Sequence, residues 1–382
     1  SNMQYRKFGK HDFMVSALGF GTMRLPIDTN IEGCKEIDEA EAIRMIRFAI
    51  DNGVNYIDTA YAYHFGNSEI VVGKALKDGY RSKTRIATKS PVWLIEDEGD
   101  FDRMLNEQLE KLQTDCIDYY LLHSLSLNMW SKRVLGHNVL ESAENARKAG
   151  KIKYLGFSFH DSYEAFVQIL DDYDKWDFCQ IQYNYLGVDY QAGMKGLKYA
   201  ASKGLAVVIM EPLLGGRLAN PPRDVKAILE EGDPNRTPAE WGLQWLWNQP
   251  EVSVVLSGMN NMPQVEENIN SAERSRVGLL GQRELKAVEK AVQKYKEREV
   301  IPCTACNYCM PCPHNVNIPR NFALYNEAVS HDDIGGAKYS YSNFFAEKSR
   351  ASSCMKCKLC EEKCPQNIPI SEWLEKVNTE LT

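Results

Sequence analysis

From Asp38 onward the apolar positions Ala42, Ile43, Ile46, Ala49 and Ile50 fall on one face at helical spacing, and Gly53 stands where a helix C-cap belongs. The short run Asn55-Tyr56-Ile57 then reads as a strand. This unit recurs along the chain. Apolar runs at about 55–59, 85–89, 117–123, 152–158, 178–183, 205–211 and 253–257 read as strands. Amphipathic stretches near 68–77, 101–113, 137–149, 162–171, 191–203, 238–248 and 263–271 read as helices between them. A hairpin from Tyr5 leads into a first strand ending at Gly21-Thr22-Met23, which brings the strands to eight at a period of about 30 residues. Alternating strand and helix demands a parallel sheet, and eight repeats favour a closed (β/α)8 TIM barrel over an open α/β sheet.

A doubly wound dinucleotide fold is the competitor, but no Gly-x-Gly-x-x-Gly follows any strand. Gly66 and Gly73-Lys74 have the wrong separation for a phosphate-binding P-loop, and that segment reads as helix. After a charged helix near 281–298, Ile301-Pro302 opens a different kind of sequence. The boundary therefore falls between a barrel at 3–299 and a smaller domain at 300–382.

At 382 residues with 44% hydrophobic content the chain can bury a large core. Its net charge of -7 comes without a basic run, which argues against nucleic acid or an anionic membrane surface as partner. No apolar segment approaches the roughly 20 residues of a membrane span, and the N-terminus lacks a secretory pattern, so a cytoplasmic protein is expected. Ser1-Asn2 before Met3 reads as a cloning remnant. Of 11 cysteines, Cys34, Cys116 and Cys179 stand alone and read as small buried hydrophobes, whereas the others crowd between 303 and 364.

Four polar residues stand at the ends of consecutive strands. Asp58 closes the second, with Tyr63 just beyond; Lys89 closes the third and His123 the fourth. In a closed barrel these would converge on one pocket. A lysine cation beside Tyr63 is expected to lower the phenol's pKa from about 10, preparing it to protonate a carbonyl oxygen as hydride arrives at the carbon. His123 could hydrogen-bond the same oxygen.

On these residues, together with Gly19-Phe20-Gly21-Thr22-Met23, Gly156-Phe157-Ser158, Gln180-Ile181-Gln182-Tyr183-Asn184 and Gln264-Val265-Glu266-Glu267-Asn268, the chain from 3 to about 298 resembles an aldo-keto reductase. The resemblance implies a nicotinamide cofactor, NADH or NADPH, lying across the barrel mouth, a small-molecule carbonyl substrate, and Asp58, Tyr63, Lys89 and His123 as a catalytic tetrad. It further implies that Gly21, Thr22 and Met23 border the cofactor, that Ser158 and Gln182 bind the carboxamide, and that Met210 lies against the nicotinamide. Pro212, Leu213, Gly215 and Arg217 would follow the pyrophosphate. Gly258, Met259, Asn260, Gln264, Glu267 and Asn268 would surround the adenosine. Phe159 stands where the family often has Asn, and Met210 where it often has an aromatic ring. Asn261 and Gln264 occupy places where Lys and Arg often grip a 2'-phosphate, so NADH is expected to serve at least as well as NADPH.

The remaining cysteines form Cys303-x2-Cys306-x2-Cys309-x2-Cys312-Pro313 and Cys354-x2-Cys357-x2-Cys360-x3-Cys364-Pro365. They resemble the paired motifs of a bacterial ferredoxin, which implies two 4Fe-4S clusters, one on Cys303, Cys306, Cys309 and Cys364 and the other on Cys354, Cys357, Cys360 and Cys312. The first motif is one residue shorter than usual before Cys312. Zinc is the competing metal and disulfides do not suit a reducing compartment. His314 reads as a turn residue that could instead tune a cluster. Helical packing is expected at 318–329 and around 339–345, making a small α-helical ferredoxin-like domain. Nicotinamide gives two electrons as hydride, whereas each cluster moves one. No flavin fingerprint is visible, yet barrel mouths can hold flavin phosphate without one, so flavin and a redox partner protein stay open. The alternative to carbonyl reduction is an electron-transfer or redox-sensing protein whose barrel binds cofactor without efficient turnover. Substrate and oligomeric state are not legible.

Overall fold

The computed structural model describes residues 2–30, 32, 35–298 and 300–382. They divide into two compact units, Ser1–Ala219 with Ala239–Gly281, and Asn220–Pro238 with Gln282–Thr382.

In the first unit a hairpin of β1 (Tyr5–Phe8) and β2 (His11–Ser16) precedes eight parallel strands closed into a barrel: β3 (Leu18–Gly21), β4 (Tyr56–Asp58), β5 (Arg85–Ser90), β6 (Ile117–Leu125), β7 (Ile152–Phe159), β8 (Phe178–Gln182), β9 (Ala206–Met210) and β10 (Val254–Gly258). The expected architecture is therefore present. Side chains alternate across a strand, so each contributes one face to the barrel interior and one to the surrounding helices. Tyr56, Ala87, Tyr119, Leu121, Phe178, Val208 and Leu256 form the inner core with Phe8 of the hairpin. Phe8 is fully buried and its ring sits 4.6 Å from Tyr119 and 5.6 Å from Phe178, plugging one end. Two residues further along these inner faces come Asp58, Lys89, His123, Gln180, Met210 and Gly258. The same alternation that fills the barrel thus aims the polar residues at its other end.

The outer layer follows the amphipathic pattern. Helix Glu39–Asp51 buries Ala42, Met45, Ile46, Ala49 and Ile50, and the Asp38 carboxylate caps it by accepting the Glu41 N–H at 3.2 Å. Gly53 follows at φ +100°, a conformation that costs other residues strain. Cys179 is buried and Cys116 half-buried; Cys34 lies outside the described residues.

The second unit pairs helix Arg223–Gly232, which the sequence reading did not single out, with Gln282–Glu297. Arg298 joins Asp224 at 3.0 Å and Asp332 at 3.1 Å. Helices Ile318–Ser330, Ile334–Phe344 and Ile370–Leu381 share a core of Ile318, Phe322, Tyr325, Tyr341, Leu374 and Val377. No helix among the described residues is long and apolar enough to cross a membrane.

Candidate active site and cysteine cages

Asp58 ends β4 and Lys89 lies near the end of β5, where Asp58 pairs in register with Ala87. Both side chains are buried. The Lys89 Nζ donates to Asp58 Oδ1 at 2.8 Å, Asp58 Oδ2 at 2.9 Å and the Thr59 carbonyl at 2.7 Å. It also lies 3.2 Å from the Tyr63 hydroxyl. Burial alone would lower the lysine pKa, but the carboxylate and phenol more than offset it, and Lys89 stands above its ordinary value as a cation. Tyr63 is carried by a single turn, Tyr63–Gly66, in which His64 and Phe65 have φ of +51° and +57°. His64 Nε2 accepts the Leu25 N–H at 3.0 Å and holds this turn against the loop after β3.

One expectation is corrected by this geometry. Burial raises the Tyr63 pKa and outweighs the lowering by Lys89, with Asp58 acting in the same direction as burial. The phenol is therefore kept protonated, in the form that donates. His123 faces Tyr63 edge-on at 6.0 Å and lies 5.2 Å from the Trp93 ring. Burial first, then the Lys89 cation and His160, hold its imidazole well below the usual range, hence neutral. Its Nδ1 is buried without a partner among the described residues.

Behind Lys89 lies a buried network that the sequence reading missed. Gln108 Nε2 donates to the Lys89 carbonyl at 2.8 Å and to Glu69 Oε2 at 3.0 Å, while its Oε1 accepts from Tyr120 at 2.6 Å. Glu69 also accepts from Thr88 at 2.7 Å and pairs with Lys111 at 2.8 Å. The available signal was a glutamine on the buried face of helix Asp100–Leu112, beside Met104, Leu105 and Leu112.

The other candidate residues ring the same end of the barrel. Gly21 pairs in register with Gly258 on one side and Asp58 on the other. Thr22 donates its N–H and hydroxyl to the Asp58 carbonyl at 3.0 and 2.7 Å, while Met23 is exposed. Ser158 Oγ accepts the Ser124 N–H at 2.7 Å. Gln182 pairs in register with Met210. Gln180, one inward position earlier, donates to the Met210 sulfur at 3.6 Å, and its Oε1 is buried without a partner among the described residues. Pro212, Leu213, Gly215 and Arg217 belong to a loop in which Glu211, Leu214, Gly215 and Gly216 all have positive φ. Arg24, not singled out from the sequence, reaches across it. Its guanidinium lies 3.4 Å from Glu211 and would meet a Cβ on Gly215 at 3.4 Å, while its aliphatic stem passes Gly258. Met259 is fully buried, Asn268 donates to Ser257 Oγ at 2.9 Å, and Gln264 Oε1 accepts the Asn260 N–H at 2.9 Å. Glu267 lies on the same helix, Met262–Glu273.

In the second unit Cys303, Cys306, Cys309 and Cys364 line one pocket walled by Ile318, Phe322, Ile368 and Ile370. Burial pushes the Cys309 thiol up to about 11, with Cys303, Cys306 and Cys364 adding to it. Burial does the same for Cys360, also about 11, with Glu361 and then Cys309 and Cys312 contributing. Backbone N–H groups reach Cys303, Cys312 and Cys354 sulfurs at 3.4 Å each.

Comparison with known proteins agrees with both parts. Residues 302–369 match the 4Fe-4S dicluster domain. Relatives include the uncharacterized oxidoreductase YqkF of Bacillus subtilis, 26% identical over 321 residues, covering 75% of this chain and 96% of that protein. L-galactose dehydrogenase of Arabidopsis thaliana is 27% identical over 288 residues, covering 70% and 88%. Among solved structures, the holo form of aldo-keto reductase AKR11C1 from Bacillus halodurans superposes with a TM-score of 0.63 at 25% identity, covering 76% of this chain and 96% of that one. An aldo-keto reductase from Klebsiella pneumoniae in complex with NADPH has the same fold, with a TM-score of 0.60 at 24% identity and coverage of 75% and 94%. Residues 17–291 match the Aldo/keto reductase family, and the chain belongs to that family.

Proposed function

We propose that this protein reduces an aldehyde or ketone with NADH or NADPH, using Tyr63 as proton donor, and carries two 4Fe-4S clusters. The observation that carries this reading is the Lys89 ammonium held between the Asp58 carboxylate and the Tyr63 hydroxyl. When bound, a reduced nicotinamide would supply the hydride for the carbonyl carbon. The buried Gln180 Oε1, on a residue that pairs in register with Ser158 and touches the Met210 sulfur, suits an amide-bearing ring, and Arg24 beside Gly215 and Gly258 suits a pyrophosphate. The Klebsiella relative's complex with NADPH supports the same assignment.

As negative charge builds on the carbonyl oxygen, Tyr63 gives it the phenolic proton. Lys89 then faces a phenolate, and its cation, fixed by Asp58 before the reaction begins, stabilises that charge without reorganisation. Neutral His123 offers an N–H to the same oxygen and orients the substrate. Solvent returns the proton to Tyr63.

In the second unit, Cys303, Cys306, Cys309 and Cys364 would hold one cluster. Cys354, Cys357 and Cys360 would hold the other, with Cys312 as fourth ligand. The shared pocket of the first set fits four thiolates converging on one group. Such clusters supply one-electron transfer.

Replacing Tyr63 by Phe tests the barrel chemistry. Carbonyl reduction is expected to fall about 10²–10⁴-fold while nicotinamide binding, followed by fluorescence, persists. Unchanged turnover would remove Tyr63 as donor.

A further inference from the structure

The two cysteine loops share one backbone and differ in charge. In the first, Ala305 and Asn307 have φ of +56° and +65°; in the second, Lys356 and Lys358 have +57° and +61°. The matching N–H groups of Ala305 and Lys356 each reach a cysteine sulfur at 3.4 Å. Beyond the last cysteine of each motif, Asn315 and Asn367 again take positive φ and donate to the Cys312 and Cys364 carbonyls at 3.0 and 3.2 Å. Each motif then runs into a helix, Ile318–Ser330 or Ile370–Leu381.

Asn tolerates a left-handed backbone because its short side chain bonds locally, whereas lysine has no such compensation. The lysine at 358, where the first loop has Asn307, is thus not explained by the fold. The segment 303–312 carries no charged side chain. The second loop instead exposes Lys356 and Lys358 beside Met355 and Leu359, which are 68% and 49% exposed. Of the acids nearby, Glu361 is turned to Ser371, Glu375 pairs with Lys356 at 3.1 Å, and Glu362 is exposed. Two exposed lysines, of which Lys358 has no ion-pair partner among the described residues, flanked by exposed Met355 and Leu359 on a chain of net charge -7, suit the docking of an acidic protein.

We propose that the face made by Met355, Lys356, Lys358 and Leu359 docks a small acidic one-electron carrier protein that exchanges electrons with the cluster on Cys354, Cys357, Cys360 and Cys312. This rests on the two-cluster reading. One electron leaves the reduced carrier and one is gained by the cluster; no bond forms or breaks and no proton moves. The exposed Cys357 lies between the two lysines in the chain, so the patch borders that cage. The loop 303–312 of the other cage carries no charged side chain of its own.

The test uses full-length, anaerobically prepared holoprotein and a photoreduced acidic [2Fe–2S] ferredoxin as probe, followed by stopped flow. The second-order rate is expected to fall with rising ionic strength. In the Lys356→Glu/Lys358→Glu variant it should fall at least about tenfold, with iron content, cluster EPR and carbonyl reduction unchanged. Ala305→Glu/Asn307→Glu, at the matching positions of the first loop, should leave it near the wild-type value. A rate indifferent to salt and to the lysine reversal overturns the proposal, as does equal loss in both loop variants. No transfer at all to a fully loaded protein also overturns it but leaves the two-cluster reading standing, whereas absent cluster iron removes both. Salt-sensitive self-association that the lysine reversal abolishes would assign the patch to a second copy of this chain and overturn the carrier.

Discussion

The Lys89 ammonium stands 3.2 Å from the Tyr63 hydroxyl while also contacting both Asp58 oxygens and the Thr59 carbonyl. A cation so placed serves the fold and the chemistry together. Lys89→Met should abolish carbonyl reduction and also leave Asp58 as a buried, unpaired charge, destabilising the first unit by about 3–5 kcal/mol. Adding Asp58→Asn should restore much of that stability without restoring turnover. Urea denaturation at neutral pH separates the two effects, and equal stability of the single and double variants would show that Asp58 takes up a proton once Lys89 is gone.

His123 gives a pH signature. Its imidazole is held well below the ordinary value by burial, then by Lys89 and His160. Carbonyl reduction should therefore show no loss as pH falls through about 6.5, where a free imidazole titrates. Stability behaves differently. Below that pH the unfolded chain binds a proton that the folded protein refuses, so stability is lost as pH falls, until the depressed folded value is reached. Denaturation of wild type and His123→Asn between pH 8 and pH 5 should converge or cross for this reason, the wild type losing more on acidification.

The barrel was legible because its strands repeat one device, an inward apolar residue followed two positions later by a polar one at the mouth. Tyr56 before Asp58 and Ala87 before Lys89 are examples. Spacing alone could not say how deeply Tyr63 would be buried, which is why the direction of its pKa was misjudged. Helix Arg223–Gly232 was missed because only Val225 and Leu229 are buried on it, too little for a clear stripe. Arg24 and Gln108 were missed for another reason. Their roles come from partners distant in sequence, Glu211 and Glu69, which no local pattern links to them.

Cofactor preference follows from what caps the helix after β10. Asn261 Oδ1 accepts the Gln264 N–H at 3.0 Å, and Gln264 Oε1 accepts the Asn260 N–H. Both side chains are engaged in capping and neither is cationic, so a 2'-phosphate would find no fork there. NADH is expected to be used at least as well as NADPH in steady-state kcat/KM. A preference for NADPH beyond about a hundredfold, ~2.7 kcal/mol, would contradict this.

Carbonyl reduction and the cysteine cages are expected to be separable. Cys357→Ala should lower the iron content and remove part of the visible absorption that bleaches on reduction, because one cage loses a thiolate. Turnover with NADH and a simple aldehyde should stay within about twofold of wild type, since the hydride and proton steps use only groups at the barrel mouth. A parallel loss of turnover in a variant with a normal barrel melt would instead tie the clusters to catalysis.

Gln108 is the most informative residue for how Lys89 is held. Its amide nitrogen bonds the Lys89 carbonyl and Glu69, and its oxygen accepts from Tyr120, so both ends of the amide are used. Leucine of similar size would leave those buried partners unpaired, each costing about 1–3 kcal/mol. Glutamate would also set a second carboxylate against Glu69 and lose the donor to Lys89. Stability should therefore fall in the order wild type, Gln108→Leu, Gln108→Glu. Because the network fixes the β5 backbone at Lys89 rather than the cofactor, kcat should fall with little change in nicotinamide binding. A Gln108→Glu protein as stable as wild type would mean that this network does not hold the β5 backbone at Lys89, and the ordering of Lys89 would have to come from Asp58 alone.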